Sequence, residues 1–463
     1  MSIGNEYFSK NIFSSSEKIT QEPALNKNPE NAAGSATQLN KTYSALKKKL
    51  HTMLLSELDT AKFKKTYDSG NNELLKQQIT ELLDDLLKQE AVPMGVNDKK
   101  KLLDELLDDV FGFGPIEPLL KDNTVNDILV NGPNQVYVER KGVLEKTNVT
   151  FDNEEQLMRV IRRITAKVGR RVDESSPMVD ARLPDGSRVN AIIKPLAIDG
   201  ASLSIRKFSE KKFVLDDLVK ISSITEGMCE LLKLCVICRL NIIISGGTGS
   251  GKTTFLNALS KNIPAKERVV TIEDAAELQL QRDHVVRLET RPMNLEGKGE
   301  VSQRDLVKNA LRMRPERIIL GEIRGGEALD LLQAMNTGHD GSMGTLHANT
   351  SRDAFSRMET MCLMAGYDLP QRAIREQISS AVNLVVQLNR FPDGSRKVTQ
   401  ISEVTGMENG VITTQDVFSY EQQGMNEQGK VKGIFKPSGI RPVFSKRIES
   451  MGYKIPQGIF SHF

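Results

Sequence analysis

Nowhere in the 463 residues is there an apolar run of about 18, the length a helix needs to cross a bilayer, so no spanning helix is expected. The opening stretch MSIGNEYFSKNIFSSSEK lacks the apolar core of an export signal. An excess of one charge is missing too: 63 Lys+Arg against 60 Asp+Glu leave a net charge of only +3, so no strong global pull toward nucleic acid is implied. Cysteine is scarce. Cys229, Cys235, Cys238 and Cys362 in so long a chain do not make a disulfide framework, and the expected compartment is cytosolic. Cys235-Val-Ile-Cys238 has the spacing of a metal or redox pair, but no second such pair or nearby His completes a zinc site. It reads as two buried small hydrophobes.

What remains is ordinary soluble material, 39% hydrophobic and 27% charged, in a length that suggests about three domains. Residues 1–40, rich in Asn, Ser, Lys and Glu, read as a flexible arm. Residues 41–112 read as a small helical bundle. Leu74, Leu75, Ile79, Leu82, Leu83, Leu86 and Leu87 recur at helical spacing, as do Leu102, Leu103, Leu106, Leu107, Val110 and Phe111. The turn-rich GFGPIEPLL then opens an α+β unit over 113–206. Its strand candidates are VNDILVNG, QVYVERKG, GVLEKTNVTF, SRVNAIIKPL and ASLSIRKF, with one helix in EEQLMRVIRRITAKVG. Residues 207–215 read as a linker, 216–420 as a second α/β unit and 421–463 as a basic tail.

The second unit carries the strongest signal. LNIIISGGTGSGKTTFLNALSKNI is an apolar strand, a glycine turn and an amphipathic helix, and Gly246 to Thr253 fits G-x-x-x-x-G-K-[ST]. Gly246, Gly247, Thr248, Gly249, Ser250 and Gly251 would let backbone N–H groups close around a triphosphate at a helix N-terminus, with Thr254 following. Lys252 would bridge the β- and γ-phosphates, and Thr253 would offer its hydroxyl to Mg²⁺.

Two acidic stretches follow. RVVTIEDAAEL ends a strand in Glu273-Asp274, with Glu277 a turn further on, where carboxylates can hold a metal or polarise water. RIILGEIRG ends a buried strand in Gly321-Glu322, although many nucleotide hydrolases place a magnesium-holding aspartate before that glutamate. Either a part is missing or it was never needed. His339 and His347 flank the strand candidate SMGTL without a third ligand at metal spacing.

In that order, GGTGSGKTT, TIEDAAEL, IILGEIRG and TGHDGSMGTLHANT resemble the Walker A, Asp box, atypical Walker B and His box of the type II and type IV secretion and type IV pilus motor ATPases. The resemblance spans about 113–420, and GFGPIEPLL with VNDILVNGPNQVYVERKG further resembles the tight-adherence pilus branch. It implies an α/β fold with a RecA-like P-loop domain, preceded by an α+β, PAS-like domain and the helical bundle. The family's Walker B strand ends in Gly-Glu, so Glu322 takes the catalytic and metal-side role and the acidic box adds carboxylates. Arg182, Arg188 and Arg206 match arginines that reach the nucleotide from the preceding domain. His339 and His347 would sense the nucleotide or link it to a neighbour. ATP and Mg²⁺ are the implied cofactors. A homo-hexameric ring acting on an inner-membrane platform protein is the implied assembly, cytoplasmic and only peripheral to the membrane.

Arg312, Arg314, Arg317 and Arg324 crowd the Walker B strand, and the sequence does not sort them. The tail, with seven Lys/Arg against one acidic residue from Gly429 onward, is open to two readings: a contact for membrane or platform, or a strap over the core. The competing functions are a nucleic-acid translocase, against which stand the near-neutral charge and the lack of an aromatic–basic groove pattern, and a scaffold that binds ATP without turnover.

Overall fold

A computed structural model describes residues 46–47, 49–53, 72–89, 95–110, 112–140, 142–183, 185–208, 213–291, 293 and 298–461. The arm expected over 1–40 lies outside the described residues, as do 209–212 of the expected linker. The chain divides into two compact units, residues 1–114 and 115–463.

The first unit contains the helices Asn72–Gln89 and Val96–Val110. Ile79, Leu87, Leu102 and Leu106 are buried with Leu46 and Leu50, while Leu82, Leu103 and Leu107 pack against them half-buried. Leu74, expected on the apolar face, is exposed. The side chains of Leu75, Leu83, Leu86 and Val110, and all of Phe111, lie outside the described residues.

The second unit holds two sheets. The first is antiparallel, formed by β1 (Val125–Asn131), β2 (Val136–Arg140), β3 (Val143–Lys146), β4 (Met178–Arg182), β5 (Arg188–Ile192) and β6 (Ser202–Arg206), in the order β3-β2-β1-β6-β5-β4. Alternation decides its faces: Val136 and Val138, Val189 and Ala191, Leu203 and Ile205 are buried at every second position. In β1 the spacing slips, with Val125, Ile128 and Val130 buried, because a register shift falls between Val125 and Asp127. The helix Glu154–Lys167 starts at Asn153, whose side chain accepts from Gln156 N, and buries Leu157, Val160, Ile161 and Ile164. β4 is not among the strand candidates of the sequence. MVDAR shows no sustained apolar–polar alternation that would announce a strand, since only Val179 in it is buried, and its pairing with β5 makes it one.

The second sheet comprises β7 (Ile242–Gly246), β8 (Val269–Glu273), β9 (Val285–Glu289), β10 (Arg317–Leu320), β11 (Met343–Leu346), β12 (Leu384–Arg390), β13 (Arg396–Glu408), β14 (Val411–Met425) and β15 (Val431–Pro437). Their order is β15-β14-β13-β12-β7-β11-β10-β8-β9. From β9 to β12 all neighbours run parallel, and β12 to β15 is an antiparallel meander. The central parallel strands β7, β8, β10 and β11 are buried along their whole length, as sheets covered on both faces are. Their alternate residues feed two cores: Ile242, Ile244 and Ile319 belong to one, Ile243, Val270 and Ile318 to the other.

β14 runs through position 420, so the sheet and the basic tail are continuous. Beyond β15 the tail straps the core. The Glu403 carboxylate accepts from Val443 N (2.8 Å) and Phe444 N (2.6 Å), Arg447 donates to Cys238 O and Arg239 O, and Ile448 is fully buried. All four cysteines are free and buried. Among the described residues no helix is long and apolar enough to cross a membrane.

Candidate functional site

The parallel strands deliver their C-terminal ends to one edge of the sheet, where ligands of open α/β sheets bind. Gly246 closes β7. A Cβ there would lie 2.5 Å from Leu388 O and 2.6 Å from Ser250 Oγ, so the close turn requires glycine. Gly249 and Gly251 have φ of +69° and +94°, and the helix Lys252–Ser260 starts directly after Gly251. Its first residue, Lys252, is buried. Nζ donates to Gly246 O and Gly247 O, both at 2.9 Å, and lies 3.4 Å from the His347 ring nitrogens. Burial pulls the ammonium down to about 8. Ser250 Oγ donates to Gly247 O, and Thr248 and Thr254 are exposed.

Across from the loop, one polar cavity is lined by Thr253, Glu273, Asp274, Glu277, Gly321, Glu322, Arg324 and Arg188. Glu322 Oε2 accepts from Arg324 at 2.6 Å, and its Oε1 lies 3.0 Å from His347 Nε2. Burial alone would raise the Glu322 carboxyl, but the Arg324 guanidinium, hydrogen-bonded to it, and the Lys252 ammonium outweigh it and hold the carboxyl below its ordinary value. His347 is lowered by burial and by Lys252, so at neutral pH it is an uncharged imidazole. Arg324 also reaches Asp274 at 3.1 Å, and the Glu327 carboxylate fixes the loop by accepting from Arg324 N and Gly325 N. Polar and charged groups thus run without a break from Asp274 through Arg324, Glu322 and His347 to Lys252.

Glu273 at the end of β8 explains the glycine before Glu322. A Cβ on Gly321 would lie 2.7 Å from Glu273 Cγ. The space beside Gly321 is filled by a carboxylate of the neighbouring strand, and glycine makes room for it. Glu273 is 3% exposed; its Oε1 accepts from Glu277 N and Leu278 N at 2.8 Å, and its Oε2 has no partner. Burial raises its carboxyl to about 7, against the two N–H donors that lower it.

That shift predicts a pH-dependent stability. An acid whose folded pKa is raised favours the folded state below its unfolded value, near 4.5, and this is lost as pH rises toward 7. Glu273→Gln should therefore match wild type in thermal stability near pH 4.5 and exceed it increasingly up to pH 7, by at most about 3 kcal/mol. A difference constant across that range in calorimetry would refute the assignment.

The arginines expected from the preceding domain form a single row. Arg182 faces Arg188 across β4 and β5, and Arg188 faces Arg206 across β5 and β6. Like charges so opposed are unfavourable unless anions meet them. Arg182 donates to Ala276 O (2.8 Å) and pairs with Glu289, and Arg188 pairs with Glu277 at 3.0 Å. Arg206 pairs with Asp127 and is the most exposed of the three. His339 stands apart from the cavity: its N and Nδ1 meet Ala334 O at the end of the helix Glu327–Asn336. Of the four arginines left unsorted, Arg324 lines the cavity. Arg317 is fully buried against Glu267, donates to Val236 O and serves packing. Arg390 and Arg396, which are not among the residues the sequence singles out, flank the phosphate loop: Arg396 Nε donates to Gly249 O at 2.8 Å. In RFPDGSRK the turn signal masks them, and only the pairing of β12 with β13 brings them to the loop.

The cradle fits a nucleoside triphosphate. It offers turn glycines, a lysine that donates to loop carbonyls and a carboxylate oxygen without a partner. Among the described residues no three His, Cys, Asp or Glu side chains gather as a metal site. A divalent ion here would rest on Thr253, a carboxylate, phosphate oxygens and water, as Mg²⁺ commonly does. A phosphate loop and carboxylates at the C-terminal edge of a parallel sheet define a P-loop nucleotide hydrolase.

Comparison with known proteins makes the class specific. Residues 109–433 match the family model described as "Type II/IV secretion system protein". A putative conjugal transfer protein of Mycobacterium tuberculosis is 38% identical over 297 residues, 63% of this chain and 84% of that protein. The type IV secretion system protein VirB11 of Bartonella quintana is 32% identical over 326 residues, 62% of this chain and 90% of that one. Among solved structures, the VirB11 ATPase of the Brucella suis type IV secretion system, in complex with sulphate, is 30% identical. It covers 62% of this chain and 95% of its own, with a TM-score of 0.34. The chain belongs to the type II/IV secretion system protein family, and it is an ATP hydrolase of that class.

Proposed function

We propose that this ATPase is a cytoplasmic motor, peripheral at the inner membrane, whose six subunits form a ring. Its ATP hydrolysis drives a pilus or secretion machine through an inner-membrane platform protein. The observation that carries the reading is the cavity in which Thr253 of the phosphate loop, Glu322, the acidic box and Arg188 of the other sheet converge. In this reading Lys252 exchanges the Gly246 and Gly247 carbonyls for the β- and γ-phosphates. Thr253, with Glu322 close by, holds Mg²⁺, which when bound neutralises charge developing on the phosphoryl oxygens. Glu322 orients the attacking water, and neutral His347 reports its charge to Lys252. Arg182 and Arg188 tie the six-stranded sheet to the acidic box, so movement at the box is carried to that sheet, and Arg206 extends their row. The names of the relatives support a secretion or conjugation machine, and GFGPIEPLL with VNDILVNGPNQVYVERKG supports the tight-adherence branch.

The test is ATP turnover by the purified full-length protein, with its mass in solution, with and without ATP and Mg²⁺. The expected result is a hexamer-sized particle whose turnover falls at least about 100-fold in Lys252→Ala. A monomer without turnover would overturn the motor reading, and turnover that rises only on adding DNA would favour a nucleic-acid translocase.

A further inference from the structure

The charged row of the six-stranded sheet does not end at Arg206. Arg206 faces Asp127 on β1, and Asp127 faces Glu139 on β2. Three cations are followed by two carboxylates. Asp127 is taken by Arg206, at 3.0 Å. The partners of Glu139 lie in the other sheet: Arg390 at 3.4 Å and Arg396 at 3.6 Å.

Those two arginines are directly opposite each other on β12 and β13. Opposed like charges weaken a strand pair, so an anion between them is required, and Glu139, whose side chain is 12% exposed, supplies it. Both arginines also border the phosphate loop. Arg396 Nε holds Gly249 O, and Arg390 Nη1 stands 2.9 Å from where a Cβ on Gly249 would lie. Arg390 further donates to Gly142 O, in the turn between β2 and β3, and a Cβ on Gly142 would lie 3.0 Å from Gly394 O. The hairpin that carries the arginines is itself braced. Asp393 accepts from Ser395 N and Oγ and from Val431 N, and Phe391 packs edge-on against Tyr420. In the sheet order β12 and β8 lie on opposite sides of β7, so this contact is separate from the one between Arg188 and the acidic box.

We propose that Arg390, Arg396 and Glu139 form a latch: positioning residues through which the phosphate loop and the six-stranded sheet hold each other. The latch sets how tightly the loop retains its nucleotide. By reciprocity, nucleotide on the loop sets how firmly the sheet is held. Arginine is needed on the loop side because one planar fork must serve a carboxylate and a backbone carbonyl together, which a lysine ammonium does less well. The inference rests on the ATPase reading above.

The test uses full-length protein, with binding of a fluorescent ADP analogue and steady-state ATP kinetics as readouts. Glu139→Gln keeps the shape of the side chain and removes only the charge between the arginines. It should raise the Kd for the analogue and the KM for ATP together, by about 3- to 30-fold, while kcat falls by less. Arg396→Lys should shift both in the same direction. In an Arg390→Ala/Arg396→Ala background, Glu139→Gln should have no further effect, since the partners it acts through are gone. The charge exchange Glu139→Arg with Arg396→Glu should recover part of the affinity. Wild-type affinity in Glu139→Gln, or an effect that adds fully to that of the arginine pair, would overturn the latch. A protein whose wild-type form does not bind the analogue, with Lys252→Ala no different, would instead overturn the ATPase reading and the latch with it.

Discussion

Glu322→Gln is expected to bind ATP as wild type does and to hydrolyse it about 10²- to 10⁴-fold more slowly, the range over which a positioned general base contributes. The contacts of Glu322 explain why binding should survive. Its two oxygens meet Arg324 and His347, neither of which belongs to the phosphate loop. Glutamine keeps one acceptor for Arg324. Its amide nitrogen then faces His347 Nε2, and the imidazole, neutral because burial and Lys252 hold its pKa down, can present a lone pair there by switching tautomer. What is lost is the carboxylate charge proposed to orient water. The check is a single-turnover assay with labelled ATP beside a filter-binding isotherm. Hydrolysis within about threefold of wild type, against the hundredfold or more that a base contributes, would remove Glu322 from the chemistry.

Gly321→Asp, which would restore the aspartate found before the glutamate in many P-loop enzymes, is expected to destabilise the fold by more than about 3 kcal/mol. The backbone of Gly321 is not in the left-handed region, so its conformation is not the obstacle. Space is. The new Cβ would lie 2.7 Å from Glu273 Cγ, and neither partner has room to retreat. Glu273 is pinned by two backbone N–H groups, while Gly321 N donates to Ile272 O and Gly321 O accepts from Thr345 Oγ1 at 2.7 Å. A second carboxylate would also face one already raised by burial. Gly321→Ala should cost about 1–3 kcal/mol from the collision alone, and adding Glu273→Ser to Gly321→Asp should return much of the loss, a coupling a double-mutant cycle measures by thermal denaturation. Unchanged melting of Gly321→Asp would mean that Glu273 moves freely, and the explanation for the glycine would fall.

Much of this protein is legible along the chain because its signals are local. The phosphate loop is one contiguous segment whose glycines, lysine and threonine have fixed roles in a strand–loop–helix. The parallel core declares itself through the continuous apolar runs of β7, β8 and β10, since strands covered on both faces need no polar alternation. The helix Glu154–Lys167 and five of the six strands around it follow from periodicity and turn residues.

β4 does not, because MVDAR becomes a strand only by pairing with β5. The tail illustrates the same limit. Its basic residues suit a membrane contact or a strap equally well, and Glu403, 40 positions before Val443, is what fastens it.

Order along the chain was thus enough for the fold class, the phosphate loop and the succession of the four motifs, because each depends on neighbours in the chain. It took the folded arrangement to decide that Gly321 is small to admit Glu273, that Arg317 is packing while Arg324 joins Glu322 to Asp274, and that His347 meets Lys252 while His339 meets Ala334 O. The same arrangement brings Arg390 and Arg396 to the phosphate loop, 147 positions separating Arg396 from Gly249. Charges and volumes act through distance in space, and those distances are set by strand order and register, which no local pattern encodes.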